Sequence, residues 1–216
     1  MITIIDYEAG NLRSVAKALE RVGASPIITC DEQTILASDA VVLPGVGAFA
    51  DCMQSLVEKG MDRVVKACIQ MGKPFLGICL GYQMLFESSE EHPQGAPDVG
   101  GLGIFKGKVK KFPSDLGLKV PHMGWNNLTF PRYCPFFEGL VEDSSEHNKE
   151  SYVYFVHSYY VDVGDKSLVA AKAHYGLSFD AAIATDNVFA MQFHPEKSGE
   201  VGLALIRNFL KAVKLK

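Results

Sequence analysis

A cysteine between two glycines, in Gly77-Ile78-Cys79-Leu80-Gly81, is the first place where this chain could do chemistry. Lys73-Pro74-Phe75-Leu76-Gly77-Ile78 reads as a short buried strand, and Tyr82-Gln83-Met84-Leu85-Phe86 as the start of a helix. A nucleophile at a sharp strand-to-helix turn is lifted clear of the backbone, and small flanking residues let the two elements close around it. The following helix aims free N–H groups and its positive end at the sulphur, which favours thiolate over thiol. The competing reading is a structural cysteine in a glycine-containing turn, and the pentapeptide alone does not separate the two.

A thiol nucleophile needs a base, and the base needs an orienting group. Among His92, His122, His147, His157, His174 and His194, only His194 is followed two residues later by an acid, in Gln192-Phe193-His194-Pro195-Glu196. The preceding Val188-Phe189-Ala190-Met191 reads as a strand. In an extended chain residues i and i+2 face the same side, so His194 and Glu196 are expected to lie together. Pro195 has a fixed φ and no N–H, which suits a strand end. Alone, this segment reads as an exposed turn; with the cysteine turn it supplies the base and orienter of a Cys-His-Glu set.

A third segment, Leu43-Pro44-Gly45-Val46-Gly47-Ala48-Phe49-Ala50, follows a strand and fits the glycine pattern of a dinucleotide phosphate loop. Its strand is not the first, Pro44 stiffens the entry, and no acid ends a following strand at the expected spacing. The better reading is an oxyanion loop, whose backbone N–H groups meet negative charge developing near Cys79.

The elements that position these residues follow from periodicity. Ile2–Asp6, Pro26–Thr29, Ala40–Leu43 and Phe75–Ile78 read as strands alternating with helical stretches. In the first of these, Leu12–Val22, residues Leu12, Val15, Ala16 and Leu19 share a face, and Gly23 marks the end. Such alternation implies a parallel sheet covered by helices. From about residue 100 to 193 the pattern changes to strands and turns, namely Gly107–Phe112, Tyr152–His157, Tyr159–Val163, Leu168–His174, Phe179–Thr185 and Val188–Phe193, and reads as largely antiparallel. A last amphipathic helix spans about Gly199 to Val213, and Glu138–Glu150 is the most loop-like stretch. The fold class expected is therefore α/β, a mixed and mostly parallel central sheet flanked by helices, with an antiparallel strand-rich C-terminal half.

A chain of 216 residues, 48% hydrophobic and 21% charged, suits one domain over 1–216 with a sizeable core. The net charge of -4 and pI near 5.9 argue against general nucleic-acid binding. Five cysteines, an odd number without a C-x-x-C pair, indicate neither a disulfide framework nor a zinc site. The first residues are strand-like rather than signal-like, and no apolar run approaches the roughly 18 residues that span a bilayer. A soluble, cytoplasmic protein without metal or cofactor is expected. Lys106, Lys108, Lys110 and Lys111 read as a solvated strand face.

Taken together, P-G-V-G, G-I-C-L-G-Y-Q and H-P-E, in this order, resemble the class I (triad) glutamine amidotransferases. Asp6-Tyr7-Glu8-Ala9-Gly10-Asn11, Pro121-His122-Met123-Gly124-Trp125-Asn126, Tyr154-Phe155-Val156-His157-Ser158-Tyr159 and Lys197-Ser198 narrow the resemblance to the glutaminase subunits of imidazole glycerol phosphate synthases, over essentially the whole chain. The resemblance implies that Cys79, His194 and Glu196 hydrolyse glutamine through a γ-glutamyl thioester. It further implies that backbone N–H groups near Gly45, Val46 and Leu80 hold the oxyanion, and that Gly47, Gln83, Glu91, Ser158 and Tyr159 grip the glutamine. The implied partner is a (β/α)8-barrel cyclase subunit that receives the ammonia, met by His122, Met123, Trp125, Tyr154 and Lys197. Two other readings remain open: a stand-alone cysteine hydrolase of γ-glutamyl substrates, or the amidotransferase subunit of another synthase. An intact Cys-His-Glu set speaks against a non-catalytic binding module.

Overall fold

A computed structural model describes residues 1–140 and 151–214 of the chain; of the loop-like stretch read from the sequence, residues 141–150 lie outside the described residues. In chain order the strands are β1 (Ile2–Ile5), β2 (Pro26–Thr29), β3 (Ala40–Gly45), β4 (Phe75–Cys79), β5 (Ser88–Ser89), β6 (Val99–Gly100), β7 (Gly107–Lys111), β8 (His122–Asn127), β9 (Tyr152–His157), β10 (Tyr159–Val163), β11 (Val169–Tyr175), β12 (Leu177–Ala184) and β13 (Val188–Met191). The helices are α1 (Leu12–Arg21), α2 (Glu32–Ala37), α3 (Phe49–Glu58), α4 (Met61–Gln70), α5 (Leu80–Gln83) and α6 (Gly199–Lys214).

Among the described residues, eleven strands form one sheet in the order β2-β1-β3-β4-β13-β12-β10-β7-β5-β6, with β11 also pairing β12. From β2 to β13 neighbouring strands run parallel; from β13 through β12 and β10 to β7 they run antiparallel. This is the mixed α/β sheet expected. Val188–Met191, read as part of the antiparallel half, instead bridges the halves: β13 is parallel to β4 on one side and antiparallel to β12 on the other. That placement brings the segment after β13 beside the segment after β4, and it decides where the site forms.

The central strands are buried on both faces, because helices cover both. Ile2, Ile4, Ala40, Val42, Leu76 and Ile78 pack with α1 residues Val15 and Leu19 and α6 residues Leu205, Ile206 and Phe209. Their alternates Ile5, Val41, Leu43 and Phe75 pack with α3 residues Phe49, Cys52 and Leu56 and α4 residues Val64, Val65 and Cys68. The period-2 alternation of each strand is what serves two cores from one sheet. No helix of the described residues is long and apolar enough to cross a membrane.

Lys108 and Lys110 are not simply solvated. Lys110 Nζ lies 2.7 Å from Asp162, and Lys108 Nζ lies 3.0 Å from Glu90 and 2.8 Å from Asp98. The acids come from neighbouring strands and loops, which a reading of β7 alone does not see. Exposed pairs of this kind contribute about 0–1 kcal/mol each.

Candidate active site

Cys79 ends β4 with φ 56° and ψ -109°, one of two non-glycine residues with positive φ among those described. Such a conformation costs on the order of 1–3 kcal/mol and persists only where its surroundings enforce it. Here the chain turns at once into α5, so the helix begins at Leu80, two residues earlier than expected, and lasts four residues. A Cβ on Gly81 would lie 1.9 Å from the Leu43 carbonyl oxygen. Only glycine lets α5 sit this close to β3, and that closeness holds the turn. So short a helix has little dipole to offer, and the sulphur depends on side chains for its electrostatics.

Cys79 is 6% exposed rather than an open thiol. It lines a cavity of about 470 Å³ together with Val46, Gly47, Leu80, Gln83, Glu91, Ser158, Tyr159, His194 and Lys197, residues singled out from the sequence. The volume falls in the roughly 300–1,000 Å³ range of small-molecule sites. Gly45 stands directly beside the nucleophile, paired in register with Cys79 across the β3–β4 ladder.

His194 is buried, and its Nδ1–H donates to Glu196 Oε1 at 2.8 Å. Strand alternation does not produce this pairing: β13 ends at Met191, and Pro195–Lys197 form a 3₁₀ turn. Pro195 opens that turn, where its fixed φ is preorganised and its missing N–H costs nothing. Nε2 of His194 is left buried without a hydrogen-bond partner and is the nitrogen available to the thiol. Burial pushes the imidazole down, but interaction with Cys79 and Glu196 outweighs it and raises His194 to about 9. That rise favours the protonated ring, the form able to give up a proton.

The oxyanion segment is pinned on both sides. Tyr7 Oη–H donates to the Pro44 carbonyl at 2.7 Å, and the Cys52 thiol donates to the Val46 carbonyl at 3.4 Å. Burial pushes Cys52 up to about 11, so it stays a thiol. Between these carbonyls lies the Gly45–Val46 peptide, whose N–H belongs to Val46. Gly47, at φ 108°, gives the loop an exit that few other residues adopt.

On the substrate-gripping side, Glu91 Oε2 accepts from the Phe49 N–H at 2.9 Å, leaving Oε1 for a cation. Gln83 Nε2 donates to the Tyr159 carbonyl at 3.1 Å and to Gln192 Oε1 at 2.9 Å. Both its N–H groups are thus committed, and Oε1 is what it has left to offer.

Of the residues placed at a partner surface, Met123 and Trp125 are 62% and 55% exposed, and Trp125 meets Tyr154 edge-on at 6.1 Å. Lys197 Nζ sits 5.7 Å from the Tyr154 ring centre. His122 is a correction: it is 3% exposed and presents no surface to a partner. Alternation along β8 turns Met123 and Trp125 outward and His122 inward. There it stacks between Phe155 and Tyr175, and its Nδ1 bonds His157 Nε2 at 2.9 Å.

Burial holds this histidine pair neutral, with His122 lowered to about 4 and His157 to about 3. An unfolded histidine titrates near 6.5. Below that pH the unfolded chain binds protons that the folded chain refuses, so the pair's contribution to stability falls as pH drops from about 6.5 toward 3. His157→Gln keeps an acceptor and a donor without the titration. Its unfolding free energy, read from urea titrations, should fall less steeply than that of the unsubstituted protein over this window, by a few kcal/mol at about 1.4 kcal/mol per pKa unit. Parallel curves would remove the pair from the acid response.

Sequence reasoning gave no role to Asn11, His157, Gln192 or Ser198. Asn11 and His157 line the cavity. Gln192 Nε2 lies 3.8 Å from Cys79 Sγ. Ser198 Oγ accepts from the Tyr154 N–H at 3.0 Å and donates to the His194 carbonyl at 2.6 Å. Spacing gave no signal for Gln192, because β13 ends at Met191 and the chain beyond it is no longer strand.

Comparison with known proteins finds relatives over nearly the whole chain. The family model described as "Glutamine amidotransferase class-I" matches residues 3–213. "Imidazole glycerol phosphate synthase subunit HisH" of Thermosynechococcus vestitus is 54% identical over 215 residues, covering 99% of this chain and 97% of that protein. The protein of the same name from Syntrophotalea carbinolica is 51% identical over 216 residues, covering 97% and 98%. A crystal structure of a glutamine amidotransferase superimposes with a TM-score of 0.73 at 19% identity, over 99% of this chain and 100% of that one, a likeness of fold.

Proposed function

The chain belongs to the class-I glutamine amidotransferase family and serves as the glutaminase subunit of an imidazole glycerol phosphate synthase, and on that premise we propose how its residues divide the work. Cys79 is the nucleophile, His194 the acid and base, and Glu196 the orienter. The observation that carries this reading is the strained Cys79 at the strand–helix corner sharing one cavity with the Glu196-bonded His194.

The Cys79 thiolate attacks the side-chain amide carbon of glutamine, forming an S–C bond and placing negative charge on the oxygen. N–H groups of the Gly45–Val46–Leu80 corner receive that charge. His194 gives its proton to the nitrogen, the C–N bond breaks, and ammonia leaves. Water then gives its proton to His194 and attacks the thioester, the C–S bond breaks, and glutamate departs. Glu91 takes the substrate ammonium, Gln83 Oε1 accepts from substrate N–H, and Gly47, Ser158 and Tyr159 close the remaining walls.

Free ammonia would be protonated in bulk water, so the reading includes a partner. A (β/α)8-barrel cyclase subunit docks on Met123, Trp125, Tyr154 and Lys197, an aromatic and methionine-bearing patch of the kind that suits interface cores. It adds the ammonia to a phosphoribulosyl-formimino precursor, yielding imidazole glycerol phosphate and an aminoimidazole carboxamide ribotide. Residues 1–216 act as one domain, in the cytoplasm, where five unpaired thiols are at home.

The triad is tested by separating base from orienter. His194→Ala should cost about 10²- to 10⁴-fold in glutamine turnover. Glu196→Gln should retain more, since an amide oxygen still accepts from the ring. It no longer stabilises the imidazolium, so the alkaline limb of its pH–rate profile should move to lower pH. If both variants kept near-normal turnover, the Cys-His-Glu assignment would fail.

A further inference from the structure

We propose that Gln192 is a further catalytic residue, whose side-chain N–H donates to the Cys79 sulphur and favours its thiolate; this rests on the reading of Cys79 as the nucleophile. Gln192 follows β13, its backbone N–H donates to the Ala181 carbonyl at 2.8 Å, and the residue is fully buried. Its Nε2 lies 3.8 Å from Cys79 Sγ.

The orientation of the amide is settled by its neighbours. The Tyr159 carbonyl can only accept, so the group of Gln83 that meets it is the NH₂. The same NH₂ meets Gln192, which must answer with its oxygen. The Gln192 NH₂ is then turned to the sulphur, and flipping it would oppose two donors at one contact and aim an acceptor oxygen at a thiolate. Gln83 stands on α5, four residues after Cys79, so the device is tied to the turn that holds the nucleophile.

The N–H is a neutral donor, and it acts where the charge changes. When thiolate attacks, the sulphur's negative charge passes to the carbonyl oxygen, and the amide's hold on sulphur weakens. When water has added and the C–S bond breaks, the electron pair returns to sulphur, and the N–H receives it. A hydrogen bond to the charged form favours that form, so losing it should raise the pH at which Cys79 becomes thiolate.

The test is the pH dependence of iodoacetamide alkylation in the full chain, followed peptide by peptide by mass spectrometry. Exposed Cys30 serves as the internal control. Gln192→Met keeps size without a donor. It should move the Cys79 midpoint up by about one pH unit and leave Cys30 unmoved. Gln192→Glu keeps the oxygen that Gln83 needs but sets an acceptor on the sulphur, and should move it further. A midpoint equal to that of the unsubstituted protein in a folded variant would overturn the proposal. Should neither variant fold, the Gln192 side-chain amide proton shift is followed with pH in the unsubstituted protein and in Cys79→Ala. A step present only with the thiol supports the proposal, and no step overturns it. If Cys79 resists alkylation in the unsubstituted protein at every pH, the nucleophile reading itself fails, and this proposal with it.

Discussion

Cys79→Ala is expected to abolish glutamine hydrolysis, by on the order of 10⁴-fold or more, with the fold and partner binding intact. The sulphur makes the covalent bond, and no neighbouring group replaces it: Gln192 and Tyr7 are neutral donors, and the Cys52 thiol is held protonated by burial. The structural cost is small, because alanine deletes one atom at the edge of a cavity and inherits the same positive φ. An electrophilic glutamine analogue should label Cys79 alone among the five cysteines. Cys30 is exposed but lies outside the cavity, while Cys52, Cys68 and Cys134 are buried. Labelling of Cys30, Cys52, Cys68 or Cys134 in place of Cys79 would sink the assignment, as would residual turnover in the alanine variant.

Glutaminase activity should be low for the isolated chain and should rise about 10²- to 10³-fold when barrel subunit and nucleotide ligand are both bound. Ammonia released without an acceptor wastes glutamine, and the structure supplies a place where a partner could control release. The oxyanion loop is pinned at Pro44 by Tyr7 and at Val46 by Cys52, so a turn of the Gly45–Val46 peptide between them is the motion expected to aim its N–H toward or away from the substrate. The proposed docking patch is joined to the base through the backbone. The His194 N–H donates to the Tyr154 carbonyl at 3.0 Å, and Ser198 Oγ links the Tyr154 N–H to the His194 carbonyl. Trp125 and Lys197 meet the Tyr154 ring, so a partner on that patch would sit within two residues of His194. A rise of 10²- to 10³-fold corresponds to a population shift of about 2.7–4 kcal/mol, within reach of interface contacts that differ between two loop states. The measurement is steady-state glutamate production by the free chain, the complex and the complex with the nucleotide precursor. Equal rates in all three would reject the switch and favour a stand-alone hydrolase.

The chain's order of residues alone carried the nucleophile turn, the His-Pro-Glu base, the glycine loop and the alternation of strand with helix. These are local: a glycine beside a cysteine, an acid two residues from a histidine and a period of 2 or 3.6 are written in near neighbours. Strand limits in the central sheet came within a residue or two for the same reason. Tertiary structure decided the rest. Only strand order could show that β13, antiparallel to β12 on one side, lies parallel to β4 on the other, which is what brings His194 to Cys79. Only packing could show that His122 turns inward onto His157 while Trp125 turns outward, or that Lys108 and Lys110 find acids on other strands. The Gln192–Gln83–Tyr159 network and the Tyr7 and Cys52 pins on the oxyanion loop were silent in the sequence. A buried polar group must be satisfied by whatever the fold brings within about 3 Å, and for Gln83 and Gln192 that partner stands 109 residues away along the chain.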